Sequence, residues 1–248
     1  MRRPAASPQR GDDRHDVVIE LSHVTKEYAS GAHLCPALVD VSFSIRESEI
    51  LAVQGPTGAG KTTLLRVIAG HTPPTAGEVT VLGSRLERAP AETIRNLLHG
   101  RVTSVFETSD LVESLTCHDN ITVTLAHALS PQARRSDVLT VLASVGLEHR
   151  ADALVAALSS GERQRLAIAH ALATDPRIVV VDEPGRHLDW RGAERIVDRL
   201  VRTRDVTRTT IVLATTDLRT AVRADRAILL RDGVVRDEIR TAADPFRA

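Results

Sequence analysis

The chain has 248 residues, of which 42% are hydrophobic and 26% charged, an ordinary composition for a soluble globular protein. Its 32 Lys and Arg residues balance its 32 Asp and Glu residues, which argues against a general nucleic-acid binder, since such proteins usually carry a basic excess. No apolar run approaches the roughly 20 residues that span a bilayer, and the two cysteines lie too far apart to form a metal-ligand pair, which fits free thiols in a reducing, cytosolic setting.

The N-terminal part is predicted to be a polar tail followed by strands. Residues 1–16 lack the apolar core of a signal peptide and are expected to be disordered. The stretches VVIELSHV and VSFSI are predicted strands, and in the second Val41, Phe43 and Ile45 share one face. EILAVQ is an unbroken apolar strand, of the kind that is buried on both sides of a sheet. A glycine-rich turn then leads into KTTLLRVIAG, a helix that should end at Gly70.

The rest of the chain divides into a helical part and an alternating part. From about residue 108 to about residue 173, apolar residues recur at helical spacing, which predicts a helical subdomain inserted into an α/β core. Helical and β-branched segments then alternate, as is typical of βαβ units with a parallel sheet. Asp232 and Gly233 form an expected hairpin turn, and the arginines of RTRDVTRTT are expected to form a solvated face. Residues 17–248 are thus predicted to be one domain.

The turn after the apolar strand is GPTGAGKT, which matches the pattern G-x-x-x-x-G-K-[ST] in full. Its glycines let the backbone fold so tightly that successive N–H groups point at one spot, and the next helix adds its N-terminal dipole. We therefore expect a nucleotide's phosphate chain here, with Lys61 at the β- and γ-phosphates and the Thr62 hydroxyl on Mg²⁺. The alternative is a merely glycine-rich turn. The predicted contacts are Gly55, Pro56, Thr57, Gly58, Ala59, Gly60, Lys61, Thr62 and Thr63.

Two acids follow a second apolar run. In IVVVDE, Asp182 and Glu183 come directly after four apolar residues. A buried strand that ends in two acids delivers both carboxylates to the carboxyl edge of the sheet, beside the phosphate-binding turn. Asp182 would there hold Mg²⁺ through water, and Glu183 would polarise the attacking water. Taken alone, the same run is equally consistent with a solvated strand end.

A third motif is LSSGERQRLAIAHALATDP, residues 158–176. Ser159 and Glu162 have the S-x-x-E spacing of a capping box, which predicts a helix start that can bind an anion, although an ordinary capped helix is the alternative. With the two earlier motifs, in this order, the stretch resembles the LSGGQ signature of ABC-type ATPases. The resemblance covers nearly the whole chain after the tail. It implies a P-loop NTPase core with a parallel sheet, an N-terminal antiparallel β subdomain and an inserted helical subdomain.

The resemblance also implies how nucleotide is bound. In that family the signature helix start closes over the γ-phosphate held by a second subunit, so that two ATP molecules are sandwiched in a head-to-tail dimer. Asp189 then lies at the dimer seam, and Tyr28 is placed to stack on adenine, unless it is simply a core or surface tyrosine. YASGAHLCPALVDVSFSI and VFETSDLVESLTCHDNI look most like the lipoprotein-releasing and macrolide-export subfamily. The signature contacts implied are Ser159, Ser160, Gly161 and Glu162.

Three residues depart from the family pattern. Glu107 stands where the family has a glutamine that ligates Mg²⁺; a carboxylate can still bind the metal but cannot donate a hydrogen bond when ionised. Thr216 stands where the family has a histidine that bridges the γ-phosphate and the catalytic carboxylate, and Ser160 replaces a glycine. We therefore expect Glu183, Thr216 and Glu107 to set the hydrolysis rate. The chain should bind Mg-ATP well and turn it over slowly at its own site.

The role that the resemblance implies is that of an ATP-binding subunit on the cytoplasmic face of a membrane. Its partners would be a transmembrane permease subunit and a second ATP-binding subunit, identical or different, and not nucleic acid. The permease would dock in the cleft near Glu107, against Leu111, Val112 and Leu115. Two alternatives stay open: a regulatory or mechanical module that ATP binding closes into a dimer, and a DNA-repair or translation ATPase. The second lacks support, because this chain has no long coiled coil, zinc-ligand cysteines or tandem cassette.

Overall fold

The computed structural model describes residues 16–30, 33–87, 89–106, 111–127 and 137–241. The predicted polar tail, apart from its last residue, and Glu107 lie outside these described residues. Within them the chain forms two β-sheets with helices packed around them. This confirms the predicted α/β class, with one parallel and one antiparallel sheet.

The antiparallel sheet is built largely from a long N-terminal hairpin. Its strands are β1 (Val17–Ser30), β2 (His33–Arg46), β4 (Ala76–Val81) and β5 (Ser84–Arg85), in the order β2-β1-β4-β5. The buried residues of β1 are Val18, Ile19, Leu21 and Val24, and irregularities in the register of the strand interrupt a strict alternation. Both strands of the hairpin extend beyond the short stretches that the sequence predicted.

The second sheet carries the predicted parallel strands. These are β3 (Ile50–Gln54), β6 (Val102–Val105), β7 (Ile178–Asp182), β8 (Thr210–Thr215), β9 (Arg226–Arg231) and β10 (Val234–Arg240), in the order β10-β9-β3-β8-β7-β6. All neighbours are parallel except β9 and β10, which form the predicted hairpin. The apolar residues of β3 and β7 are fully buried, because helices or the first sheet cover both sides.

Helices fill the space around the second sheet. They are α1 (Lys61–Ile68), α2 (Ala91–Leu98), α3 (Cys117–His127), α4 (Val138–Ala143), α5 (Ser160–Ala173), α6 (Trp190–Thr207) and α7 (Leu218–Ala221). Helix α1 shares one hydrophobic core with the first sheet, and α3, α4 and α5 share another on the opposite side. Nowhere in the described ranges is a helix long and apolar enough to cross a membrane.

One expectation about the surface is wrong. Within RTRDVTRTT, the side chain of Arg204 is only 13% exposed, and its guanidinium lies 2.7 Å from a buried carboxylate oxygen of Asp225. Asp225 also accepts a hydrogen bond from the Ile50 amide, and burial raises the pKa of its carboxyl. Arg204 therefore connects α6 to the start of β3. Its partner is 21 residues away in the chain, so that local sequence does not reveal the pair.

The fold brings three strand ends to one place. Strands β3, β8 and β7 are consecutive neighbours and parallel, and each ends at the same edge of the sheet. The residues that immediately follow them are Gly55, Thr216 and Glu183. The carboxyl edge of a parallel sheet is the usual place for ligand binding in α/β folds.

Candidate nucleotide-binding site

The phosphate loop between β3 and α1 is packed so closely that two of its glycines have no room for a side chain. A Cβ on Gly55 would lie 2.2 Å from the Leu230 carbonyl oxygen, and one on Gly60 would lie 2.3 Å from the Ala37 carbonyl oxygen. Gly60 also has a φ of +99°, a conformation that favours glycine. The loop is thus held against β9 and β2, and its shape is set by its glycines.

Lys61 is the first residue of α1, and its ammonium reaches back into this loop. Its side chain is only 7% exposed, and its ammonium donates hydrogen bonds to the carbonyl oxygens of Gly55 at 2.9 Å and Pro56 at 3.1 Å. The same Nζ lies 3.4 Å from Oε1 of Glu183. A buried ammonium with a single carboxylate neighbour is well suited to attract a phosphate group.

Thr62 and Asp182 form a hydrogen-bonded pair beside Lys61. The Thr62 hydroxyl donates to Oδ2 of Asp182 at 2.6 Å, and the other carboxylate oxygen, Oδ1, is buried without a hydrogen-bond partner among the described residues. A hydroxyl and an unsatisfied carboxylate oxygen are ligands that Mg²⁺ prefers. The pair therefore fits this cation. No cluster of three or more His, Cys, Asp or Glu side chains suited to a metal occurs in the described ranges, which do not include Glu107.

Glu183 is held in a fixed orientation at the edge of the site. Its φ is +49°, its main-chain amide donates to the Ala214 carbonyl oxygen at 2.9 Å, and its side chain is 24% exposed. Oε2 accepts a hydrogen bond of 3.2 Å from the main-chain amide of Thr216, while Oε1 faces Lys61. The carboxylate therefore lies between a main-chain donor and an ammonium. At residue 216 it is the backbone, not the threonine hydroxyl, that contacts it.

A cavity of about 760 Å³ opens beside this carboxylate. Its lining includes Thr57 of the phosphate loop, Glu183 and Thr216, and on the outer side Arg186 and Trp190. Trp190 is 59% exposed. The cavity gives solvent-side access to the carboxylate that we expect to activate water.

The helix start at Ser159 has the predicted capping box. Oε2 of Glu162 accepts hydrogen bonds from the Ser159 amide and hydroxyl, both at 2.9 Å, and the Glu162 amide donates to the Ser159 hydroxyl oxygen at 3.3 Å. Arg150 lies 3.3 Å from the other oxygen of Glu162. The hydrogen bond from the Ser159 main chain, with help from Arg150, lowers the pKa of Glu162. Ser160 is exposed at the tip of the helix.

This helix start packs against the segment that leads into α6. A Cβ on Gly161 would lie 3.0 Å from the His187 carbonyl oxygen. Asp189 ends that segment and caps α6 by accepting a hydrogen bond of 2.7 Å from the Gly192 amide. Apart from main-chain bonds within the helix, Ser159 and Glu162 contact each other and Arg150, and within the described residues neither bonds to the phosphate loop of its own chain.

Tyr28 lies apart from these groups on β1, opposite Cys35. Its ring is 39% exposed, and the ammonium of Lys26 lies 5.2 Å from the ring centroid. One part of the ring is therefore accessible to a ligand while a cation sits over it.

The amino-acid sequence does not reveal three features of the site. These are the ion-pair contact between Lys61 and Glu183, the main-chain amide of Thr216 as a donor to Glu183, and Arg150 beside the signature. Main-chain hydrogen bonds cannot be predicted from the residue types, and no sequence motif marks Arg150 as a neighbour of Glu162. Thr63 lies in the first turn of α1, and Gly58 and Ala59 lie in the loop itself.

The chain is similar to known proteins over most of its length. Residues 38–186 match the family described as ABC transporter. A dimeric ATP-binding cassette, MJ0796, solved in a post-hydrolysis state bound to ADP and Pi, is 32% identical, with a TM-score of 0.82 over 90% of this chain and 98% of that chain. An ATP-binding subunit of an ABC transporter is 28% identical, with a TM-score of 0.74 over 90% of each chain.

A third structure shares the fold alone. This is cbiO1 from Clostridium perfringens, part of the ABC transporter complex cbiONQ, which is 24% identical, with a TM-score of 0.77 over 91% of this chain and 89% of that chain. The family match spans more than half of the chain, and the first structure matches it almost end to end. The chain therefore belongs to the ABC transporter family, as one of its ATP-binding domains.

Proposed function

We propose that this chain is the ATP-binding subunit of an ABC transporter of the lipoprotein-releasing and macrolide-export type, acting at the cytoplasmic face of a membrane. The observation that carries the proposal is the meeting of Lys61, the Thr62–Asp182 pair and Glu183 at one sheet edge. The similar structures are consistent with it, since MJ0796 was solved as a dimer bound to ADP and Pi, and cbiO1 is part of an ABC transporter complex.

Each residue of the site has a distinct role in this proposal. The amides of the phosphate loop and Lys61 bind the β- and γ-phosphates. Thr62 and Asp182 hold Mg²⁺, which would neutralise phosphate charge, and Glu107 is proposed as a further ligand. Glu183 accepts the proton of the attacking water. Ser159, Ser160 and Gly161 of a second subunit close over the γ-phosphate, Asp189 lies at the seam, and Tyr28 stacks on adenine.

Turnover at this site should be slow. Thr216 has no imidazole to bridge the γ-phosphate and Glu183, and the loss of one preorganised donor to transition-state charge costs roughly 10²–10³ in rate. The main-chain amide of Thr216 still orients Glu183, so the general base remains in place. Binding of Mg-ATP should therefore be strong relative to its hydrolysis.

The permease is proposed to dock in the cleft between α2 and α3. A cavity of about 620 Å³ lies there, lined by Ile94, Leu98, Val102 and Val123. Val123 is 50% exposed, which is unusual for a valine beside a core. Of the other proposed contacts, Val112 is 49% exposed, but Leu111 is buried in the core, so that Leu111 supports the cleft from within.

A second candidate function is a regulatory or mechanical module in which ATP binding alone closes a homodimer or heterodimer. The observation that favours it is the uncharged, shorter side chain of Thr216 beside Glu183. In this case also the phosphate loop and the signature act from different subunits. The two candidates differ in whether a membrane protein is bound.

Copurification from detergent-solubilised membranes distinguishes the two candidate functions. We expect the tagged chain, expressed in its native host, to copurify with one membrane protein, and the reconstituted pair to hydrolyse ATP faster than the chain alone. The Lys61→Ala variant should copurify equally and hydrolyse nothing. If the chain elutes without any membrane protein while still forming an ATP-dependent dimer, the regulatory function is supported and the transporter function is not.

A further inference from the structure

Four arginines form a stripe along one side of α6. Arg191, Arg195, Arg199 and Arg202 are spaced by four, four and three residues, which places them on one flank of the helix. At about 1.5 Å per residue the stripe is roughly 17 Å long. We call these four residues the arginine face.

The arginine face has no counter-charge in the described part of the chain. The ion pairs that α6 makes there join Arg204 to Asp205 and Asp225, and Asp198 to Arg223. None of the four arginines takes part in one; Arg191 instead lies over the ring of Trp190, with 5.2 Å between its guanidinium carbon and the ring centroid. Two acids of this helix, Asp198 and Asp205, are therefore paired with other arginines.

The cost of lacking an ion-pair partner is clearest at Arg199. It is only partly exposed, and its Nε is buried without a hydrogen-bond partner among the described residues. Burial, and then the charge of the neighbouring Arg202, lower the pKa of its guanidinium. A desolvated cation with an unsatisfied donor beside a second cation costs folding free energy. An anion bound between the two would relieve both costs.

The acids of α6 limit the shape of that anion. At about 100° per residue, Glu194, Asp198 and Asp205 fall together beside the arginine face on the exposed side of the helix, with Asp198 only about 20° from Arg191. A broad anionic surface, such as a bilayer or a DNA duplex, would meet these carboxylates together with the arginines. A single narrow acidic segment can lie along the flank and avoid them. The net charge of zero also argues against nucleic acid.

We propose that the arginine face docks an acidic segment of a partner protein, a helix whose carboxylates repeat at the spacing of the four arginines. Val206, which is 81% exposed, extends the same flank by one turn and provides an apolar contact for the end of that segment. None of the four arginines lines the cavity beside Glu183, so this surface is separate from the nucleotide site and from the proposed cleft for the permease.

Peptide binding tests the proposal on the full chain. The probes are two fluorescein-labelled helical peptides of four turns, one with glutamates at the matching spacing and one with lysines at the same positions. By fluorescence anisotropy we expect the glutamate peptide to bind and the lysine peptide not to. The double variant Arg195→Glu, Arg202→Glu should bind the glutamate peptide at least about tenfold more weakly, because two charge pairs become repulsions.

A matched control keeps the test specific. Arg95→Glu with Arg236→Glu changes the net charge equally at two exposed arginines outside α6 and should leave peptide affinity unchanged. Unaltered heat of Mg-ATP binding shows that both double variants are folded. Equal binding of the two peptides, no binding of either, or equal loss in the control would overturn the proposal. So would tighter binding of a DNA duplex or of phosphatidylserine vesicles through the same arginines, which would make the partner a different class of molecule.

Discussion

At the residue scale, the main electrostatic feature of the site is the ion pair between Glu183 and Lys61. The carboxylate lies 3.4 Å from the ammonium and also accepts the Thr216 amide, so a γ-phosphate must compete with Glu183 for Lys61. Both groups are largely shielded from water, and their attraction is therefore stronger than that of a surface pair. Nucleotide binding and the position of Glu183, the proposed general base, are thereby expected to be coupled.

This competition predicts that Glu183→Gln binds a non-hydrolysable ATP analogue more tightly than the wild type. Removing the negative charge frees Lys61 for the phosphate, which we expect to raise affinity by about three- to tenfold, or about 1 kcal/mol. Isothermal titration calorimetry with the analogue and Mg²⁺ measures it without interference from turnover. An unchanged or weaker affinity would show that the pair does not oppose binding.

The main-chain amide and the side chain of Thr216 are tested by separate substitutions. Thr216→Ala keeps the main-chain donor to Glu183 and should change the steady-state ATPase rate by no more than about twofold. Thr216→His adds a donor to the γ-phosphate and should raise the rate by roughly 10²–10³. Both are read from phosphate release at saturating Mg-ATP. If wild type and Thr216→His turn over at the same fast rate, the site is not slow.

At the scale of elements, the start of α5 is held by charge as well as by a cap. Hydrogen bonds from Ser159 and the nearby Arg150 favour the ionised form of Glu162 and hold the pKa of its carboxyl below the ordinary value. A folded pKa below the unfolded one contributes stability above the unfolded pKa, and this stability is lost as pH falls through the folded value. The helix that carries the signature should therefore weaken in acid.

We expect Glu162→Gln to unfold more easily than the wild type at neutral pH and equally easily in acid, below the ordinary carboxyl range. Glutamine retains the shape and one acceptor of the capping box, so the difference isolates the charge. Urea unfolding across pH gives the free energies. A difference between the two proteins that persisted unchanged in acid would show that the ionised carboxylate has no role. Ser159→Ala, which removes the cap itself and one of the hydrogen bonds to Glu162, should cost about 1 kcal/mol at neutral pH.

In helix α6 we expect the opposite effect, because removing a charge there should not lower stability. Arg199→Met keeps the apolar stem and removes a desolvated charge that repels Arg202, so it should leave stability unchanged or raise it by up to about 1 kcal/mol. Thermal and urea unfolding measure the change. A loss of stability larger than that of Arg95→Met, an exposed arginine on α2, would mean that Arg199 has a stabilising contact.

Elements whose pattern is local could be predicted from the sequence. The apolar run before Gly55, the S-x-x-E spacing at Ser159 and the Asp-Gly turn each depend on neighbouring residues, and each lies where it was predicted. What escaped prediction depends on distant residues. Arg204 was predicted to lie on a solvated face because its partner, Asp225, comes from the loop before β9. Leu111 was predicted to be an exposed contact because its burial depends on the packing of α3 and α5.

The candidate site divides in the same way. The spacing of residues 55–62 and the acids at 182 and 183 predicted which residue types share the sheet edge, because parallel strands must end there. The residue identities could not predict that Glu183 would contact Lys61, or that residue 216 would act through its amide. Those contacts depend on a left-handed φ at Glu183 that no motif specifies.

At the scale of the whole molecule, one chain holds two half-sites that do not meet. The phosphate loop and the signature helix start share no hydrogen bond within the described residues, and Ser160 is exposed to any facing partner. We propose that a second subunit completes the site across this separation. Ser160→Glu should leave ATP affinity of the single chain unchanged and prevent ATP-dependent doubling of the mass, because its carboxylate would repel the partner's γ-phosphate. Light scattering of the chain with Mg²⁺ and the analogue measures the mass.

The interpretation of this molecule depends on ATP binding by the loop around Lys61, and calorimetry tests that directly. Titrating Mg-ATP into the folded chain should give saturable heat with one site per chain, and Lys61→Ala should abolish it while thermal unfolding shows the variant still folded. No heat from the wild type, or the same heat from Lys61→Ala, would contradict the assignment of the nucleotide site.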